Sequence, residues 1–163
     1  MSSPGKPATI YRADALRPDE SLGLLMKRAM QSILLQVDRR LVPHDLTHAQ
    51  WVPLYKLSKS ECGSMAELAR ELALDPGAMT RALDRLEAKG LVRRVRSTTD
   101  RRVVELELTP EGREAAKLVP AVLAEVFNAH LAGFTRAEWG TLIELLQRVV
   151  ANGDALREHK ESE

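Results

Sequence analysis

Arginine is the side chain through which this sequence can do chemistry. Arg81 and Arg85 stand one helical turn apart, Arg93, Arg94 and Arg96 follow, and Arg101 and Arg102 close the polar run Ser97-Thr98-Thr99-Asp100. A guanidinium is planar, always charged, and offers its donors as a fork that fits phosphate oxygens and the acceptor edge of guanine. The chemistry on offer is recognition of anions and base edges. The residues after the polar run alternate, with Val104, Leu106 and Leu108 on one side and Val103, Glu105 and Glu107 on the other. That period of two makes a strand, and a two-stranded ribbon carrying arginines at its tip is narrow enough to reach a DNA groove.

Other chemistries find less support. Catalysis by a nucleophile needs a base and an orienting group, whereas Ser64 and Thr109 are already explained as helix caps, so no enzyme is expected. Cys62 is the single cysteine, which excludes an internal disulfide and, with no second thiol, a cysteine zinc site. Glu61 beside it opposes the lowered pKa that a reactive thiol requires. His44 and His48 have the spacing of a helical metal pair, but a cap at Thr47 leaves His44 outside the helix, so neither a metal nor a cofactor is expected. The chain has 163 residues, 44% hydrophobic, and a net charge of +1. That suits one compact domain or two small lobes. Its charge is unevenly spread, with an excess of four positive charges between residues 75 and 102 and of three negative charges elsewhere. With no apolar run of the roughly 18 residues that span a bilayer, and no signal-peptide core in the first residues, a cytoplasmic protein is expected.

The elements that must position these arginines follow from caps and periodicity. Residues 1–17 read as a flexible arm with Tyr11 its only large aromatic anchor. A first helix is predicted from near Asp19 to Leu41, on the spacing of Leu22, Leu25, Ala29, Ile33, Val37 and Leu41. Thr47 with Gln50 opens a second helix, which Pro53 should bend. Ser64 with Glu67 opens a third over Met65 to Leu72. Asp75 followed by Pro76 opens a fourth to Lys89, which Gly90 ends. The short Ala73-Leu74-Asp75 connection makes these two a helix-turn-helix. Within the fourth helix, Met79, Ala82, Leu83 and Leu86 pack inward while Thr80, Arg81, Asp84 and Arg85 face out. Strands over Leu91 to Arg96 and Val103 to Leu108 form a wing. Thr109-Pro110 starts a helix kinked at Pro120, and Thr135 with Glu138 starts the last. The fold class is mainly α with a small β-wing: a winged helix-turn-helix lobe at 46–109, and helices at 18–45 and 110–163 with apolar stripes left to pair.

The segments Ser64-Met65-Ala66-Glu67-Leu68-Ala69, Asp75 to Val92, and Asp100-Arg101-Arg102 through Leu108-Thr109-Pro110-Glu111-Gly112 closely resemble the MarR family of bacterial transcription regulators. The specific match covers residues 46–113; outside it only the order of helices agrees. The resemblance implies a homodimer on a pseudo-palindromic double-stranded DNA operator, released in many members by a small aromatic acid or similar ligand. It makes Pro76 to Lys89 the recognition helix and places Thr80, Arg81 and Arg85 at bases or phosphates, with Arg94 and Arg101 as further DNA contacts. It sends Arg102 into the minor groove and gives Asp100 the task of positioning the basic side chains around it. A ligand pocket between the dimer helices and the winged lobe would draw on Arg28, Ser32, His48, Trp51 and Tyr55. Arg28 or His48 would hold a carboxylate there and Trp51 would stack on a ring, although a tryptophan at this spacing is more often core. The chain is read as a ligand-responsive repressor. The rival readings are a winged-helix protein-interaction module and an oxidant sensor acting through Cys62.

Overall fold

The computed structural model describes residues 9–59, 63–72, 74–96 and 104–160. Its helices are α1 (Leu22–Leu41), α2 (His48–Leu57), α3 (Met65–Glu71), α4 (Pro76–Ala88), α5 (Pro110–His130) and α6 (Arg136–Lys160). Its strands are β1 (Gly63–Ser64), β2 (Val92–Arg96) and β3 (Val104–Leu108). The chain is thus mainly α with a small antiparallel sheet, in the strand order β1-β3-β2. It divides into two compact units, residues 1–123 and 124–163, the boundary falling inside α5.

Local hydrogen bonding explains where the helices begin. Ser64 Oγ accepts from Glu67 N–H at 3.2 Å and Glu67 returns a carboxylate to Ser64 N–H at 3.0 Å, a reciprocal pair that satisfies two orphan donors. Asp75 Oδ1 accepts from Ala78 N–H at 2.9 Å with Pro76 already in helical φ, and Gly90 ends that stretch at φ +67°. At α2 the amide of Thr47 donates to Gln50 Oε1 at 3.2 Å. Pro53 is buried inside α2, where it removes one backbone donor.

Two boundaries differ from expectation. The first helix starts at Leu22 with Ser21 as its cap, because Pro18–Glu20 forms a separate 3-10 turn. Tyr11 holds this junction: its hydroxyl donates to Glu20 O and accepts from Leu22 N–H, both at 2.8 Å. The anchor expected of Tyr11 is therefore a polar one. The second difference is β1, two residues that pair Gly63 with Leu106 and Ser64 with Glu105. So short a strand shows no alternation to read.

The core of residues 1–123 gathers one face from each element. Leu41, Leu46, Leu54, Met79, Leu83, Leu86 and Leu106 are all at most 1% exposed. Each such side chain stabilises by roughly 1.5–3 kcal/mol when fully buried. The inward set foreseen on α4, Met79, Ala82, Leu83 and Leu86, is buried throughout. Gly112 seals the end of the sheet, since a Cβ there would lie 1.8 Å from the Leu91 carbonyl oxygen. Thr109 fixes the same corner, its hydroxyl donating to Gly90 O at 2.6 Å and accepting from Gly112 N–H at 2.9 Å. In residues 124–163, Gly133 turns the chain at φ +87° and Thr135 with Glu138 caps α6.

Candidate nucleic-acid interface

The outer face of α4 carries the first part of the site. Arg81 and Arg85 are exposed and have no ion pair with any described residue, so their charge is available to a partner. Arg96, at the far end of β2 and absent from the sequence candidates, is exposed in the same way. Its register opposite Val104 places it where the ribbon enters its tip. Thr80 corrects the expectation of a free outward side chain. It is half-buried, and its hydroxyl donates back to the Pro76 carbonyl at 2.8 Å, 3.7 Å from the Met65 sulfur. Its donor is spent on its own helix; only acceptor capacity remains.

Arg94 is engaged within the fold. Its guanidinium bridges Asp84 at 2.6 Å and Glu87 at 2.5 Å, both on α4, and its backbone N–H donates to Glu87 Oε1 at 3.3 Å. Hydrogen bonding to Asp84 raises its pKa further, against a smaller opposing effect of burial, with the Glu87 charge adding to the rise. Arg94 therefore ties β2 to α4 and offsets one of the two carboxylate charges it bridges. Arg93, on the other side of the strand, is paired across the sheet with Glu107 at 2.5 Å. Asp100, Arg101 and Arg102 lie outside the described residues, as does Cys62.

Sequence reasoning missed the residue that fixes α4 at its other end. Lys89 caps α4 and reaches back across the chain, its ammonium 2.5 Å from the Asp45 carbonyl, 2.9 Å from the Asp45 carboxylate and 3.1 Å from Gln50 Oε1. Asp45 holds the left-handed turn after α1 at φ +58°, and Gln50 is 4% exposed and caps α2. One lysine thus joins the end of α4 to the start of α2. Lys before a terminal Gly reads as a solvated helix end, and the only hint, a buried amide needing partners, was hidden in a capping box.

The five proposed ligand residues lie on α1 and α2, and His48 and Trp51 are in ring contact. Trp51 is 6% exposed, its indole N–H donates to Asp38 at 3.0 Å, and its ring meets the edge of His48 at 5.4 Å. It is a core side chain and has no free face for stacking. Tyr55 is half-buried with the Lys59 ammonium 5.3 Å from its ring centre. Arg28 and Ser32 lie on the exposed first half of α1. His44 sits in a 3-10 turn and His48 is the first residue of α2, so their spacing is not that of one helix face. Among the described residues no group of three His, Cys, Asp or Glu side chains could hold a metal, and no helix is long and apolar enough to cross a membrane.

The MarR family profile matches residues 46–104, the stretch from the start of α2 to the return strand of the wing. Solved structures agree over more of the chain. Wild-type MarR from E. coli in its apo form is 32% identical, with 79% of this chain and 96% of that one covered at a TM-score of 0.69. A mutant of the same protein complexed with operator DNA gives 32% identity, 78% and 92% coverage and a TM-score of 0.73. BpsR from Bordetella bronchiseptica, whose DNA binding is regulated by 6-hydroxynicotinic acid, is 26% identical, with 81% and 94% covered and a TM-score of 0.73.

Proposed function

The chain belongs to the MarR family of transcription regulators, which bind DNA, and on that premise we propose that it is a homodimeric repressor released by a small aromatic acid or phenol. The observation that carries the DNA contact is the outer face of α4, where Arg81 and Arg85 stay exposed with no ion pair among the described residues while the inner face is buried. In this reading Arg81 and Arg85 meet the major groove, Arg96 meets phosphate, and Arg102, steadied by Asp100, enters the minor groove. The MarR structure complexed with operator DNA supports DNA binding, and the regulation of BpsR by 6-hydroxynicotinic acid supports ligand release.

The dimer rests on apolar surface that each unit leaves open. In α1, Leu22, Leu25, Met26 and Met30 are 40–55% exposed, and in α6, Trp139, Ile143, Leu145 and Val150 are 37–58% exposed. Such stripes in a water-soluble protein call for a partner, and a second copy on a two-fold axis would supply matching half-site spacing. Helices at 18–45 and 110–163 are the proposed dimerisation region.

The test is a titration of the chain's own upstream DNA against random duplex over a range of salt. A specific regulator prefers its operator by at least ~10³-fold, and its affinity falls with a salt slope near −0.9 per phosphate contacted. Arg81→Ala is expected to lose about 1–3 kcal/mol on the operator and to discriminate less between sequences. Equal, weak binding to both duplexes would leave a protein-interaction module instead.

A further inference from the structure

The turn after α1 and the end of α4 meet at one ammonium group. Lys89 Nζ lies 2.5 Å from the Asp45 carbonyl oxygen, 2.9 Å from the Asp45 carboxylate and 3.1 Å from Gln50 Oε1, so each of its three protons has an acceptor. The three contacts are unequal. The Asp45 carboxylate is 86% exposed and contributes little, whereas the Asp45 carbonyl belongs to a turn held at φ +58° and Gln50 is 4% exposed. The firm anchors are thus a backbone oxygen and a buried amide, both at the junction of α1 with α2. That junction continues tightly into α1. Asp45 N–H donates to Val42 O at 2.9 Å and Leu46 N–H to Leu41 O at 3.2 Å. Val37 and Leu41 are fully buried, and Asp38 accepts the Trp51 indole N–H at 3.0 Å. The opposite half of α1 carries the exposed Leu22, Leu25, Met26 and Met30.

We propose that Lys89 is a positioning residue for DNA binding: it fastens α4 to the end of α1, and so sets how strictly the protein discriminates between operators of different half-site spacing. The inference rests on the reading of the chain as a homodimeric DNA-binding regulator. In that reading one helix runs from the stripe offered to the second copy into the lobe that carries α4, and Lys89 joins the two where they end. The leverage is large. Arg81 and Arg85 stand eight and four residues before Lys89, about 12 and 6 Å along the helix. A tilt of about 5° about the Lys89 end moves Arg81 by about 1 Å, which takes a hydrogen bond from its best length to beyond its limit. Core packing of Met79, Leu83 and Leu86 holds α4 against the lobe, but apolar contact is non-directional and leaves such a tilt cheap. A saturated ammonium is directional. With Lys89 in place the two recognition helices keep one separation and facing; without it each adapts to its own half-site.

The test uses the full chain on its own operator and on duplexes with one base pair inserted or removed between the half-sites. One base pair shifts a half-site by ~3.4 Å and turns it by about 35° around the axis. The wild-type chain should prefer the native spacing by about tenfold or more, the cost of about one lost base contact. Lys89→Met should cut that preference by about threefold or more, losing affinity for the native duplex while holding the altered ones. The ratio between spacings cancels the effect of the lost charge, which acts on every duplex alike. Ser64→Ala, which loses a cap on α3 away from Lys89, controls for lost stability and should keep the wild-type ratio. If Lys89→Met does not fold, Lys89→Gln, which keeps a polar end but lacks the reach to Asp45, takes its place. A wild-type ratio in the folded Lys89 variant, or an equal fall in Ser64→Ala, would leave Lys89 a merely structural role and overturn the inference. A wild-type chain with no preference for its operator over random duplex would instead remove the regulator reading, and the inference with it.

Discussion

Arg94→Ala should weaken DNA binding by unmasking acidic side chains on α4, with no need for a contact between Arg94 and DNA. Among the described residues its guanidinium is the one cation paired with both Asp84 and Glu87, on the helix that also carries the exposed Arg81 and Arg85. Removing it deletes one positive charge and takes this cluster from a net charge of −1 to −2. With a phosphate taken at ~10 Å and a water-like dielectric, that one charge costs about 0.4 kcal/mol before salt screening, roughly twofold in Kd per subunit. A direct base or phosphate contact would cost more, about 1–3 kcal/mol. The folded state should lose little, because exposed ion pairs are worth about 0–1 kcal/mol each.

The deciding comparison is the triple variant Arg94→Ala/Asp84→Asn/Glu87→Gln, measured by fluorescence anisotropy on operator and random duplex after thermal melts confirm folding. Screening of carboxylates predicts that affinity returns to the wild-type value or slightly beyond, since the triple variant is one charge more positive than the parent. A triple variant as weak as Arg94→Ala alone would mean that the guanidinium itself reaches DNA, and the reasoning would fail.

Lys89→Met should destabilise the fold by about 1–2 kcal/mol in urea unfolding, because it removes the charged donor that joins Asp45 and Gln50 to the end of α4. Gly112→Ala should cost about 3 kcal/mol or more, seen as a large fall in Tm, since the obstacle is the Leu91 backbone oxygen and no rotamer relieves it. The carboxyls of Glu67 and Glu138 are held below their ordinary pKa by hydrogen bonds from Ser64 and Thr135. Their contribution to stability is therefore present above the unfolded-state pKa and fades as pH falls through the folded one; carbon-detected NMR should show each titrating at lower pH in the folded chain than in urea.

What the sequence made legible is what three or four neighbouring residues decide. The Ser64–Glu67, Asp75–Pro76 and Thr135–Glu138 starts are local hydrogen-bond circuits, complete within one turn, and each appears where it was expected. The buried stripe of α4 follows from the same logic, since 3.6-residue periodicity needs no knowledge of the partner. α1 starts at Leu22 and not near Asp19 because Pro18–Glu20 turns separately and Tyr11, about ten residues upstream, bonds its hydroxyl across that junction. The setting of Trp51 likewise depends on a distant partner. Its role depends on Asp38, on another helix, and composition alone cannot distinguish a core indole with a partner from a ligand platform.

The same limit determines which arginines were assigned to DNA. Local reading sees Arg93, Arg94 and Arg96 as equivalent cations on one strand. The fold separates them through partners 7–14 residues away: Glu107 for Arg93, Asp84 and Glu87 for Arg94, and none among the described residues for Arg96. Strand alternation sets the outcome. Arg94 and Arg96 share one side of β2, but only Arg94 comes level with the carboxylates on the last turns of α4, so Arg96 passes beyond them toward the tip. The charge of this face is thus set by selective pairing: two acidic residues on α4 share one strand arginine, while Arg81, Arg85 and Arg96 have no ion pair among the described residues. Counting arginines along the stretch cannot separate these two groups, because the partners that divide them come from other elements of the fold.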